Sequence, residues 1–403
     1  MRNFRMLLCT LTALSTGHPT PAQNWTPTSA PTNNWQAIAC SADGIKLAAV
    51  SGGKAPNPIY LSMDGGASWS SNGTPSAIWG DIASSGDGNL LMAGVASYWG
   101  TNVIYVSTNA GATWTANTNV PRLGNLACST DGKKWIASAG TNGIFTSTNA
   151  GTTWTPQSVP NGFWTRISSS ADGDQLLAAM TTSLASYAYR IYISRDSGST
   201  WIQTGLPALT WVSIASSATG TKLVAAATLT AYTPIAIYRS ADAGSNWILT
   251  SAPANRWASV ASSADGNKLL AAAGLDSSGT FPVPLYLSTN AGISWVSTGS
   301  PGKYWFDVAL SADGSKAAAI GSISGGIWTA QTPPMPVLNL APTDGNLMLS
   351  WIVPSTNFVL QQSADLSGWS NVTNPPVLNL TNLQNEVVLS PTNGSGFYRL
   401  KTP

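Results

Sequence analysis

Polar and apolar positions alternate and then merge in one order that recurs along most of the chain. Alternating pairs such as Ile38/Cys40, Ile82/Ser84 and Val260/Ser262 suit half-buried strands. Each is followed by an Asp-Gly step: Asp43-Gly44, Asp87-Gly88, Asp131-Gly132, Asp172-Gly173, Asp265-Gly266 and Asp313-Gly314. Both residues tolerate positive φ, so each step predicts a hairpin turn. An Ala/Leu-rich run then supplies a second strand (Lys46–Val50, Leu90–Ala93, Leu269–Ala272), and an Ile-Tyr-x-Ser segment a third. A turn box and a Trp that opens a fourth strand complete the unit, and a Pro-containing stretch leads to the next. Units open at Trp35, Trp79, Leu123, Trp164, Trp211, Trp257 and Trp305.

The box reads Ser-x-Asp/Asn-x-Gly-x-Ser/Thr/Asn-Trp. Its copies are Ser62–Trp69, Ser107–Trp114, Ser147–Trp154, Ser194–Trp201, Ser240–Trp247 and Ser288–Trp295, with tryptophans 45, 40, 47, 46 and 48 residues apart. Four-stranded propeller blades repeat at about 40–50 residues. The box residues Asp64, Asn109, Asn149, Asp196, Asp242 and Asn290 read as structural. A short carboxylate or amide accepts from backbone amides two residues on, Gly allows the tight turn, and Trp covers it. A calcium loop needs more carboxylates and a closing Glu, and no metal or cofactor is expected. The seventh unit lacks a box and a fourth strand. Asn24-Trp25-Thr26, followed by Pro27 and Pro31, matches the segment after every box. It is expected to pair beside Gly326–Thr329 and close the ring.

On these residues the chain resembles the Asp-box (BNR) propellers of the sialidase type and those of the photosystem II assembly factor and sortilin type, over residues 24–332. The resemblance implies a seven-bladed β-propeller but no single function. Beyond the linker Thr332-Pro-Pro-Met-Pro336, short strands are expected at Val337–Leu340, Leu347–Trp351, Phe358–Gln362, Val387–Leu389 and Phe397–Leu400. They suit a small β-sandwich over 333–403. Its pattern is similar to small C-terminal domains of secreted bacterial proteins, which implies attachment, spacing or sorting.

Charged residues make up 8% of the chain and the net charge is +2, so nothing favours nucleic acid. Arg2 and Arg5, the apolar run Met6–Leu14 and Thr20-Pro-Ala22 read as an export signal over 1–22, which predicts a secreted, periplasmic or cell-surface monomer. No segment has the roughly 20 apolar residues of a spanning helix. Cys40 and Cys128 hold one repeat slot two units apart, too far for a disulfide.

Candidate chemistry is sparse. The only His is His18, inside the signal, and the only Glu is Glu386. Ser-His and Cys-His pairs and histidine metal sites are therefore excluded from the mature chain. The sialidase mechanism, which the resemblance implies needs a Tyr–Glu pair, lacks its Glu in the propeller. Asp81, Asp174, Asp276 and Asp307 stay outside turns and boxes. Asp81 and Asp307 share one slot, two residues after the opening Trp, and form the best acid–base pair for an inverting glycosidase; their alternative is a polar channel lining. The slot reads Ala37, Asp81, Asn125, Arg166, Ser213, Ser259, Asp307. Arg122 and Arg256, with Arg166, could gather guanidinium groups for an anion. The opening tryptophans, including Trp79, Trp164, Trp211, Trp257 and Trp305, serve either packing between blades or stacking on a ligand. Variable loops carry Tyr98, Trp99, Tyr187, Tyr189, Tyr232 and Phe281. The favoured expectation is a non-catalytic binding or scaffold protein that takes a glycan or protein on this face. The alternatives are a glycoside hydrolase using Asp81 and Asp307, and an assembly or sorting factor for a client peptide.

Overall fold

A computed structural model of the chain describes residues 24–53, 55–71, 73–95, 103–118, 120, 124–181, 189–228, 235–276, 279–321, 325–331, 338–343, 346–352, 359–364, 368–379, 384–389 and 397–401. The expected export signal lies outside them, as do Tyr98, Trp99, Arg122, Tyr187 and Tyr232. Among the described residues every regular element is a strand. The chain divides into two compact units, Met1–Gln331 and Thr332–Pro403.

In the first unit each repeat folds as its own antiparallel sheet. The fourth repeat is typical: Phe163–Ser169, Leu176–Thr181, Arg190–Ser194 and Ile202–Gln203 pair in chain order. The fourth strand begins one residue after the box Trp rather than on it, as at Thr115, Thr155 and Ile202. In the first repeat it shrinks to one bridge, Leu61 to Ser70. The last sheet is completed by Asn24–Pro27, with Trp25 opposite Ala330 and Thr26 opposite Thr329.

Backbone hydrogen bonds tie the hairpin turns into a closed belt. The amide of Ala42 donates to Gly86 O (2.7 Å), Gly86 to Thr130 O (2.8 Å), and Thr130 to Ala171 O (2.7 Å). Ala171 donates to Ala218 O (2.8 Å), Ala218 to Ala264 O (2.8 Å), Ala264 to Ala312 O (2.7 Å), and Ala312 back to Ala42 O (2.7 Å). Side chains reinforce the belt. Lys46, Lys222, Lys268 and Lys316 each donate from Nζ to a carbonyl of the next turn: Asp87, Asp265, Asp313 and Asp43.

The boxes are stapled by their own polar atoms. Ser62 Oγ accepts from Gly66 N (2.8 Å) and donates to Asp64 Oδ1 (2.8 Å), while Ser68 N also donates to Asp64 Oδ1 (2.9 Å). The amide reached lies four residues on, not two, because Ser62 Oγ already takes the nearer Gly66 amide. The two-residue bond belongs to the hairpin turns, as from Ile45 N to Asp43 Oδ1 (2.9 Å). Trp69 Nε1 donates to Gly66 O (3.2 Å) and lies over the turn.

The core sits between sheets. Trp79 packs with Ala37, Val50 and Ile59 of the preceding repeat, and Trp257 with Val224, Ala226 and Ile237. In the second unit, Asn339–Thr343, Asn346–Ile352, Gln384–Leu389 and Val377–Asn379 form one sheet. Ser370–Asn371, Val359–Ser363 and Phe397–Lys401 form another. Leu349, Trp351, Leu360 and Val387 from both sheets make one core. Arg399 caps it, stacked 4.1 Å over Trp369 and donating to Gln361 Oε1.

Candidate functional site

The variable slot follows a β-bulge. Between Trp79 and Asp81, Trp164 and Arg166, Trp211 and Ser213, Trp257 and Ser259, and Trp305 and Asp307, the register against the second strand shifts by one residue. A bulge breaks strict alternation and re-aims the residue after it. The Trp therefore turns into the inter-sheet core, and the slot residue turns toward the first strand of the next sheet.

Each slot side chain with a hydrogen-bonding group can then reach its neighbour. Asp81 Oδ2 accepts from Leu126 N (2.7 Å) and Asn125 Nδ2 (3.4 Å). Asn125 Oδ1 accepts from Arg166 Nη1 (3.2 Å). Ser213 Oγ accepts from Val260 N (3.1 Å). Asp307 Oδ1 accepts from Ser259 Oγ (2.6 Å), and its Oδ2 accepts from Ile38 N (3.0 Å). The result is a polar ring on the innermost strands, broken by a methyl at Ala37, between the two carboxylates. Both carboxylates are half-buried. Burial pushes Asp81 up to about 7, and the charge of Asp307 adds to that; the amides of Leu126 and Ile82 oppose it. Asp307 is also raised by burial, against hydrogen bonds from Ser259 and Ile38 and the charge of Arg166.

Other expectations need correction. Trp79, Trp164, Trp211, Trp257 and Trp305 are 0–2% exposed, so none offers a ring face to a ligand. Each fills an inter-sheet core, as Trp79 does against Ala37, Val50 and Ile59 of the preceding repeat, with an edge contact to Tyr105 of its own sheet (5.6 Å, 74°). Of the three arginines expected to gather, two are described, and they have different partners. Arg166 engages Asn125, and Arg256 lies against the loop at Gly279, where an added Cβ would sit 2.3 Å from Cζ. Arg122 and Trp99 lie outside the described residues. Asp174 is held by Lys134 and Ser197, and Asp276 Oδ1 accepts from Thr280 N (3.0 Å) and Phe281 N (3.2 Å).

Two features go beyond the sequence reading, in which Phe281 is named but Tyr304, Phe306 and the cleft below are not. Phe281, Tyr304 and Phe306 are 66%, 45% and 40% exposed. The antiparallel bridge between Val283 and Lys303 pairs the segment that carries Phe281 with the segment that carries the other two, and Phe306 directly precedes Asp307. Phe306 occupies the bulge, held elsewhere by Gln36, Gly80, Thr165, Val212 and Ala258. An aromatic there was a readable signal once the slots were aligned. The second feature is a cleft of about 530 Å³ between the first and last sheets, toward the turn end. Leu47, Ala309 and Ala318 lie in it, with Asn24, Asp64 and Lys316 at its polar part.

Among the described residues no group of three or more His, Cys, Asp or Glu gathers as for a metal, and no helix is long and apolar enough to cross a membrane. No protein-family model and no curated protein matches the sequence. Solved structures do. A GH74 xyloglucanase from Xanthomonas campestris aligns with TM-score 0.58 and 16% identity, over 82% of this chain and 59% of that one. YCF48 bound to a D1 peptide aligns with TM-score 0.55 and 13% identity, over 77% and 97%. The Myceliophteria thermophila Cps50 (Swd1) beta-propeller domain aligns with TM-score 0.57 and 15% identity, over 77% and 100%. The chain thus spans 59% of the xyloglucanase's length. At such identities the likeness shows the fold, and the chain carries a β-propeller.

Proposed function

We propose that the first unit is a seven-bladed Asp-box propeller, exported from the cell, that acts as a non-catalytic binding module. The observation that carries this reading is the division of labour around the slot. Asp81 and Asp307 accept bonds from the frame of neighbouring sheets, while Phe281, Tyr304 and Phe306 stay exposed beside Asp307. A buried polar group held by backbone amides reads as a staple. Clustered aromatics on a rigid frame read as a recognition surface. The ligand is a glycan or a protein segment lying across sheets six and seven. The second unit serves attachment or spacing.

A glycan array and a peptide array, each probed with the full chain and with Phe281→Ala and Phe306→Ala, test this. Truncating a central aromatic is expected to weaken binding by about tenfold or more. Unchanged binding in both variants would sink the proposed face, and the array that responds names the ligand class.

One observation favours a second reading, a glycoside hydrolase. Burial raises Asp81 to about 7 while Arg166 and Ser259 act to keep Asp307 ionised. Two carboxylates both raised by burial, with the charge of Asp307 adding to the rise at Asp81, suit an acid and a base. Release of reducing ends from a β-glucan, lost in both Asp81→Asn and Asp307→Asn, would establish it. No release from a broad polysaccharide panel leaves the binding module.

A further inference from the structure

The register shows how junctions between sheets are filled. Second and third strands set a pair of side chains opposite each other toward the next sheet. These pairs are Ala48–Leu61, Met92–Val106, Ile136–Thr146, Leu177–Ile193, Val224–Arg239 and Leu270–Leu287. At least one member of each is long. At the five junctions that lead to a box, one member of the pair faces the box glycine of the following repeat: Leu61 at Gly111, Met92 at Gly151, Thr146 at Gly198, Ile193 at Gly244 and Arg239 at Gly292.

The last sheet breaks the pattern. Its pair is Ala318–Thr329, the one pair with no member longer than threonine; the Thr329 methyl would lie 2.8 Å from a Cβ at Gly66, as the Thr146 methyl would lie 3.1 Å from one at Gly198. The junction keeps a cleft of about 530 Å³. The junction after Ile136–Thr146 also carries a threonine, yet its space is only about 10 Å³. Threonine alone is therefore tolerated, and the second small residue, Ala318, adds to the space at this junction. The cleft opens to solvent, and its volume falls in the range of small-molecule sites.

We propose that this cleft binds a small neutral amphipathic molecule. Its branched aliphatic body takes the place that a leucine-sized side chain takes at the other junctions, over Leu47, Ala309 and Ala318. Its hydrogen-bonding end meets Asn24 and Lys316. Neutrality follows from the cleft's one cation and one anion: Lys316, tied to Asp43 O (3.0 Å), and Asp64, already bonded by Ser62 and Ser68. The site lies at the turn end of the sheets and does not depend on the aromatic face.

Cys40 lines the cleft and reports on it. Cys128 holds the same slot two sheets on. Each thiol donates to a carbonyl at 3.3 Å, Leu310 O and Ser84 O respectively, so Cys128 is an internal control of matched chemistry. The full chain is modified with methyl methanethiosulfonate at fixed pH and read by peptide mass spectrometry, with N-acetyl-leucinamide as probe and N-acetylglycinamide as control. At about 90% occupancy the probe is expected to slow modification of Cys40 by about tenfold and to leave Cys128 unchanged; the glycine analogue does neither. Ala318→Leu, or Thr329→Leu if that variant folds poorly, is expected to raise the unfolding midpoint and shield Cys40 without probe. The proposal is overturned if N-acetyl-leucinamide fails to shield Cys40, if the glycine analogue shields it equally, or if probe binding survives in the filled variant.

Discussion

The box motif shows how one residue choice constrains another. Where position three is Asp, the residue four on donates to its second oxygen: Ser68 to Asp64, Thr200 to Asp196, Asn246 to Asp242. Where it is Asn, its Nδ2 donates instead, to a hydroxyl on Thr113, Thr153 or Ser294. A hydroxyl serves both cases because it can donate or accept. The next position bears strain. Ala110, Ala150, Ser197, Ala243 and Ala291 all sit at φ between 55° and 58°, and only the first box has a glycine there, Gly65. A left-handed residue with a Cβ costs about 1–2 kcal/mol, part of which glycine returns to unfolded-chain entropy. Ala291→Gly is therefore expected to stabilise the fold by about 0.5–1 kcal/mol, read as a higher urea midpoint. A lower midpoint would show that the methyl's packing outweighs its backbone cost.

Among the elements, the closing strand was legible in the sequence because Asn24-Trp25-Thr26 repeats the pattern found after each box. The opening tryptophans were legible as a ring but not in their orientation. Six equivalent aromatics look alike whether they face a ligand or a neighbouring sheet, and the bulge that turns them inward leaves no residue signature. The filled junctions and the one open cleft emerge only when second and third strands are paired residue by residue. Trp25 binds the closing strand to the core. It is 8% exposed and its ring lies 6.2 Å from that of Trp305. Trp25→Ala is expected to cost about 3–5 kcal/mol. Deleting residues through Pro27 also leaves Ile327–Gln331 as a bare edge, which invites pairing with other chains. Light scattering should show concentration-dependent association in the truncated form. A truncated chain that stays monomeric with an unchanged melting curve would place the closure elsewhere.

Across the sheets, two sets of aspartates respond to acid in opposite ways. Asp43, Asp87, Asp131, Asp265 and Asp313 on turns and Asp64, Asp196 and Asp242 in boxes are held low. Asp43 is lowered by Ser41 and the Ile45 amide, and Asp64, bonded by Ser68 and Ser62, sits at about 2. The unfolded chain takes up these protons first as pH falls below about 4, so the stability they contribute is present above that pH and is lost toward pH 2. In the channel the sign reverses. Asp81 holds its proton up to about 7 in the fold but releases it near 4 when unfolded. Between those limits the native state binds more protons, so stability declines as pH rises from about 4 to 7. Asp307, also raised by burial, acts in the same direction, tempered by Arg166. Stability is thus expected to peak near pH 4–5, with a loss of about 2 kcal/mol by pH 8 once solvent in the channel is allowed for. Asp81→Asn keeps an oxygen for the Leu126 amide and cannot ionise. Urea midpoints from pH 2.5 to 8 should show most of the upper decline removed in that variant and the acid limb intact. An equal decline in the variant and the parent would mean that Asp81 stays ionised in the folded channel, and the case for a proton held beside Asp307 would fall with it.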